Sequence, residues 1–237
     1  MLGEAMTIGI IIPTLNEERI LSRALLYARQ LQFEEILVVD GGSQDHTVQI
    51  AESSIRGAGH EHAKVLSSTR GRAIQMNTGA AEARADVLIF LHGDTRLPAE
   101  ARSAIEKALS DPECVGGRFD VRFEEDRGWA WIISSLMNLR SRWSGVATGD
   151  HAIFVRRSVF QEMGGFADIP IMEDVEFTRR LKRMGRVAAL RAKVTTSFRR
   201  WEENGLVRTI LQMWILRFLY WIGLSPRTLH HFYGTIR

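Results

Sequence analysis

The 237-residue chain is 45% hydrophobic and 25% charged, proportions of an ordinary globular protein that exclude a disordered or fibrous chain. Its 31 basic and 28 acidic residues leave a net charge of +3, a mild basic bias that suits a phosphate-bearing ligand or an anionic membrane surface, and equally an ordinary solvated surface. One cysteine, Cys114, cannot form an internal disulfide, which excludes a thiol-rich metal cluster and favours a reducing compartment.

The N-terminus lacks a basic start followed by an apolar stretch and a small-residue cleavage site, so a cytoplasmic chain is expected. Residues 7–12 form a β-branched apolar run stopped by Pro13, the pattern of a buried parallel strand opening into a loop. Over residues 17–31 apolar side chains recur every three or four positions and predict an amphipathic helix. A strand over 35–39 ends at Asp40, Gly41-Gly42-Ser43 makes a turn, and a helix over 47–55 follows. A third strand at 63–67 leads through Arg70-Gly71-Arg72 into a helix ending near Ala83, and a fourth at 87–91 runs into His92-Gly93-Asp94-Thr95, with Pro98 opening the next helix. This alternation predicts a parallel sheet covered on both faces. Beyond Asp111 the rhythm changes. An exposed strand is expected at 116–123, helices at 129–142, 158–163 and 174–184, and short strands at 152–156 and 187–190. The tail is helical and aromatic. Residues 209–224 contain Arg217 and fall short of the roughly 18 uncharged residues of a membrane span, so they read as a docked or interfacial helix. One domain over 1–204 with a helical extension over 205–237 is expected.

Ligands of an open parallel sheet gather outside the carboxyl ends of its strands, where loops converge and helix N-termini point inward. Four polar clusters fall there: Thr14 to Glu17, Asp40 to Ser43, Arg70 to Arg72 and His92 to Thr95. Asp40 is placed either to accept hydrogen bonds from a base or ribose or to close a turn. Asp94 offers the carboxylate oxygens that a hard divalent cation bridging two phosphates requires. His92 beside it is a metal ligand, a phosphate contact or a packing residue. Arg70 and Arg72 match phosphate oxygens in a bidentate fork unless they face solvent. Asp174, after Glu173, is a helix cap or a general base that takes the proton from an attacking hydroxyl. Neither G-x-G-x-x-G nor a Walker loop is present, which removes the usual support for dinucleotide or ATPase readings.

On these residues the sequence resembles the family 2 glycosyltransferases of the GT-A fold, inverting enzymes that use nucleotide sugars. Ile11-Ile12-Pro13-Thr14-Leu15-Asn16-Glu17 is similar to the family's opening strand and loop, and Val38 to Ser43 with Asp45 and Thr47 to its nucleotide-binding segment. Arg70-Gly71 with Asn77, Gly79 and Ala80 resembles the next block. Phe90 to Thr95 stands in the place of the metal-binding D-x-D, with His92 where the first aspartate commonly lies, and Met172-Glu173-Asp174 in that of the acidic pair holding the base. The resemblance implies an α/β fold with a mostly parallel sheet between helices and a donor, by default a uridine diphosphate sugar. It implies donor contacts from Pro13, Thr14, Asn16, Glu17, Asp40, Gly42, Ser43, Arg70, Arg72, Asn77 and Asp94. Mg²⁺ or Mn²⁺ on the diphosphate would be held by Asp94 with His92, and Asp174, paired with Glu173, would act as base.

His92 to Thr95, Gly149-Asp150-His151 and Ser197-Phe198-Arg199-Arg200-Trp201 are similar to a bacterial subgroup, the arsenosugar-biosynthesis-associated glycosyltransferases. In that last element Arg200 is expected to reach the diphosphate, and Trp201 to be a sugar platform or a core aromatic. The acceptor is expected to be a small molecule or lipid-linked, with no nucleic-acid partner. Docking on the domain, a homodimer and contact with the inner face of the membrane remain open for the tail. Two rivals stand beside this reading: a sugar nucleotidyltransferase on a similar scaffold, which lacks support because no glycine-rich activating loop opens the chain, and a non-catalytic binding protein, for which His92 argues.

Overall fold

The computed structural model describes residues 6–56 and 63–233. The first half alternates strand and helix: β1 (Ile8–Thr14), α1 (Leu21–Gln30), β2 (Glu35–Asp40), α2 (Thr47–Arg56), β3 (Ala63–Ser67), α3 (Arg72–Glu82), β4 (Val87–Phe90) and α4 (Ala101–Leu109). The second half follows with β5 (Cys114–Phe123), α5 (Trp129–Ser144), a 3₁₀ turn at Gly149–His151, β6 (Ile153–Arg156), α6 (Arg157–Glu162), α7 (Glu173–Met184), β7 (Arg186–Thr196), α8 (Arg199–Asn204), α9 (Leu206–Trp221) and α10 (Pro226–Tyr233).

Among the described residues a seven-stranded sheet runs in the order β3-β2-β1-β4-β6-β5-β7. The pairs of β1 with β2 and β4, β2 with β3, and β5 with β7 are parallel. β6 runs against both its neighbours. Because side chains alternate along a strand, β1 feeds two cores. Ile8, Ile10 and Ile12 pack with Leu21 and Leu25 of α1, Ala51 of α2 and Ile105 of α4. Ile11 packs on the other face with Ala73 and Met76 of α3, Phe160 and Phe177. Gly79 lets α3 lie directly on the sheet, since a Cβ there would stand 2.5 Å from Ile11 Cγ2.

Three expectations are corrected in detail. β5 is buried along nearly its whole length rather than exposed on one face, because β6 and β7 flank it and helices cover it. β7 extends through Thr196, well past 190, since Lys193, Val194, Thr195 and Thr196 pair with Asp120, Val121, Arg122 and Phe123 beyond a register shift. Helix α1 starts at Leu21 instead of 17, because residues 18–20 form the turn in which the Ile20 and Leu21 N–H groups both reach the Glu17 carbonyl.

The C-terminal helices dock on this body. Leu216 and Leu229 are buried against Ile171, Met172 and Val175 at the start of α7. No helix among the described residues is long and apolar enough to cross a membrane.

Candidate functional site

The parallel register brings Thr14 opposite Asp40 and Asp40 opposite Ser67, so the carboxyl ends of β1, β2 and β3 finish level. Gln75 of α3 bridges two of them, its amide donating to the Thr14 carbonyl at 2.7 Å and the Val39 carbonyl at 2.8 Å. Asp40 is buried and its carboxylate accepts the N–H groups of Gly42 (2.8 Å) and Ser43 (2.9 Å) and the Ser43 hydroxyl. It therefore closes the turn at the β2 tip. Asn16 sits at a positive φ of 55°. It receives the Gln44 N–H on its side-chain oxygen and donates its own N–H to Ser43, while the Glu17 N–H reaches Thr47. The β1 and β2 loops are thus one unit, with Pro13 and Thr14 at its base.

Gly93 stands beside this unit, its α-carbon facing the Glu17 side chain. Asp94 is half-buried and accepts a hydrogen bond from the Thr95 hydroxyl at 3.2 Å. His92 packs on the 149–150 turn: Nδ1 lies 3.4 Å from the Asp150 carboxylate, and Nε2 is buried without a hydrogen-bond partner against the bare α-carbon of Gly149. His92 is therefore built into the wall of the site, with Nδ1 toward Asp150 and Nε2 toward Gly149. Among the described residues no group of three or more His, Cys, Asp or Glu side chains forms a cage for a metal ion. A lone carboxylate suits a cation that takes its remaining ligands from diphosphate oxygens and water.

Asp150 is held below its ordinary value: burial opposes ionisation, but the hydrogen bond from His92 and the charges of His92 and Arg72 outweigh it. His151 is fully buried, and burial with the nearby Arg118 charge pushes it down to about 3, so its imidazole is neutral at pH 7. Its Nδ1 lies 3.0 Å from the Thr148 hydroxyl and 3.4 Å from the Thr148 N–H.

The turn meets α7 through Asp174, whose Oδ2 takes the Gly149 N–H at 2.7 Å and whose Oδ1 takes the Val175 N–H at 2.6 Å. Glu173 is buried beside it, its carboxyl pushed up by burial and by Asp174 and pulled back by Arg72, whose guanidinium lies 3.6 Å away. Arg72 so ties the start of α3 to the start of α7. Arg70 is exposed.

Two expected donor residues are engaged elsewhere. Asn77 spends its side-chain amide on both backbone groups of Phe166, at 2.8 and 2.9 Å, and clamps that loop. Trp201 stacks on Phe198 and joins a small cluster with Phe123, Ile133 and Ile210, the core-aromatic alternative. The side chain of Arg200 lies outside the described residues.

The loops of Asp40, Asp94 and Asp174 are therefore linked contact by contact, from Gln75 and Asn16 through Glu17, Gly93 and His92 to Gly149. Of the four non-glycine residues with positive φ among the described residues, Asn16, Ala152 and Met172 lie at these loops and Gln32 follows α1; backbone strain often gathers at functional sites. Gln75 carries no sequence signal, and Gly149-Asp150-His151 stands out in the sequence without its contact to His92, since only tertiary structure reveals either role.

A level row of parallel strand ends, an aspartate after β4 and an acidic pair opening α7 define the GT-A class of α/β transferase folds. The chain belongs to the family described as Glycosyl transferase family 2, whose sequence profile matches residues 9–164. Undecaprenyl-phosphate 4-deoxy-4-formamido-L-arabinose transferase of Pseudomonas fluorescens is 30% identical over 158 residues, 63% of this chain and 46% of that one. The chain spans about half the length of the curated relatives it matches. The mannosyltransferase PcManGT from Pyrobaculum calidifontis, in complex with GDP-Man and Mn²⁺, superposes with a TM-score of 0.68 at 16% identity over 96% of this chain and 69% of that one. For S. aureus TarS 1-349 in complex with UDP the TM-score is 0.67 at 20% identity, over 81% and 60% of the two chains.

Proposed function

We propose that the chain transfers a sugar with inversion from a nucleotide diphosphate sugar, by default a uridine diphosphate sugar, to an acceptor hydroxyl. The observation that carries this reading is the contact path joining Asp40, Asp94 and Asp174 along one sheet edge. The acceptor oxygen attacks the anomeric carbon as the bond from that carbon to the diphosphate oxygen breaks. Its electron pair leaves with the nucleoside diphosphate, and the hydroxyl proton passes to Asp174. Gly149 N–H orients that carboxylate. Asp94 would hold Mg²⁺ or Mn²⁺, and the ion would supply positive charge to the leaving diphosphate. Asp40, Gly42 and Ser43 form the nucleotide side, with Pro13, Thr14, Asn16 and Glu17 as its floor, and Arg70 and Arg72 lie on the phosphate side.

The segments that resemble the arsenosugar-associated subgroup, His92–Thr95 and Gly149–His151, touch one another at Gly149, which supports treating them as one unit on the acceptor side. The tail supports contact with an anionic membrane surface on the cytoplasmic side. Five tryptophans, Trp129, Trp131, Trp143, Trp214 and Trp221, are more than half exposed on α5 and α9, and neither helix contains an acidic residue while both carry arginines.

Thermal unfolding with a panel of sugar nucleotides, each with and without Mn²⁺, tests the reading. Stabilisation by one nucleotide that requires the ion is expected. No shift with any nucleotide would favour a non-catalytic protein. Pyrophosphate release from a nucleoside triphosphate and a sugar phosphate would favour the nucleotidyltransferase.

A further inference from the structure

Buried side-chain polar atoms rarely lack partners, yet among the described residues Arg118 Nη2, Arg140 Nε and Nη2 and His151 Nε2 do so within electrostatic reach of one another. The three arginine nitrogens can only donate. Arg140 comes from α5 and Arg217 from α9, both half-buried, and Leu216 beside Arg217 packs with Met172 and Val175, which flank Glu173 and Asp174. No hydrogen bond or ion pair holds the Arg217 guanidinium among the described residues.

The nearest acids do not neutralise them. Asp174 has its two oxygens on the Gly149 and Val175 N–H groups, and Asp150 faces His92. Burial, then the Arg217 charge, push Arg140 down to about 10, with Asp174 and Asp150 pulling the other way. Arg217 is lowered by burial against the same two carboxylates. Two cations within electrostatic reach of the proposed base, neither held by an ion pair among the described residues, are poorly placed for stability. They are well placed for an anion. A phosphate ester carries up to two charges and three acceptor oxygens, enough for both guanidiniums, whereas a carboxylate brings one charge.

We propose that Arg140 and Arg217 form an acceptor subsite for a phosphate group, so that the molecule whose hydroxyl meets Asp174 also bears a phosphate ester. This rests on Asp174 as the acceptor's base. The ester belongs to a soluble phosphorylated alcohol or to a lipid headgroup.

The test uses the full chain with UDP and Mn²⁺ saturating the donor side, and titrates glycerol 3-phosphate in one arm and, in the other, vesicles of phosphatidic acid, a phosphomonoester, against vesicles of phosphatidylglycerol, a phosphodiester. Binding in at least one arm, weakened about tenfold or more in Arg140→Gln and Arg217→Gln with UDP affinity unchanged, is expected. The arm that binds more tightly identifies the source. The variants should also melt no lower than the parent without phosphate, because an uncompensated charge has gone. Phosphate binding that is absent, or equal in parent and variants while UDP still binds, overturns the subsite. Melting well below the parent makes the arginines structural and also overturns it. Failure of UDP to bind the parent sinks the donor reading instead.

Discussion

Gly149 shows how narrowly single atoms set this site. A Cβ there would collide with His92 Nε2, so Gly149→Ala should destabilise the chain by about 1–3 kcal/mol and displace the N–H that orients Asp174. Adding His92→Ala should restore much of the urea midpoint; a double variant no more stable than Gly149→Ala would refute that cause. Asp174→Asn keeps an oxygen for Gly149 but accepts no proton. Transfer should fall by roughly 10²–10⁴-fold with donor affinity nearly unchanged, as read by turnover and nucleotide titration, and joint loss of both would count against its role as base. His151 gives a pH signature. It stays neutral in the folded chain down to about pH 3, whereas in the unfolded chain it takes a proton near 6.5. The unfolded state binds more protons between those values, so stability is lost as pH falls through that window. The urea midpoint of His151→Gln should decline less than the parent's between pH 7 and 4.5; parallel declines would contradict this.

At the scale of elements, α3 acts as a clamp across the strand ends. Gln75→Ala leaves the Thr14 and Val39 carbonyls without their side-chain donor and should cost about 1–3 kcal/mol in urea unfolding; an unchanged midpoint would mean that water replaces the amide without loss. The strand tips carrying Asp40 and Asp94 were legible in the sequence, because short β-branched runs followed by glycine fix where a buried strand must stop. Asp174 was legible by its place before an amphipathic helix. Gln75, Asp150, Arg140 and Arg217 were not, since each owes its position to a segment distant in the chain. The end of β7 was missed for a related reason. Arg191 and Lys193 look like loop charges until β5 supplies the pairing that turns them outward.

For the whole molecule, the exposed tryptophans define its outer behaviour. The full chain should sediment with phosphatidylglycerol vesicles and not with phosphatidylcholine, and high salt should weaken the association through screening. Trp143→Asp together with Trp214→Asp should abolish it while leaving the melting temperature within a few degrees. A dimer that buries these side chains and ignores vesicles would replace the membrane reading.

The reversed strand β6 has a mechanical consequence. Ile153 at its start pairs with Phe90 at the end of β4, so the turn touching His92 and Asp174 feeds straight into the sheet interior with no slack between them. Adding one residue at 149–152 would have to be absorbed by sliding β6 between β4 and β5, turning each of its side chains toward the wrong core. Length variation should therefore be tolerated almost anywhere around the rim before it is tolerated there.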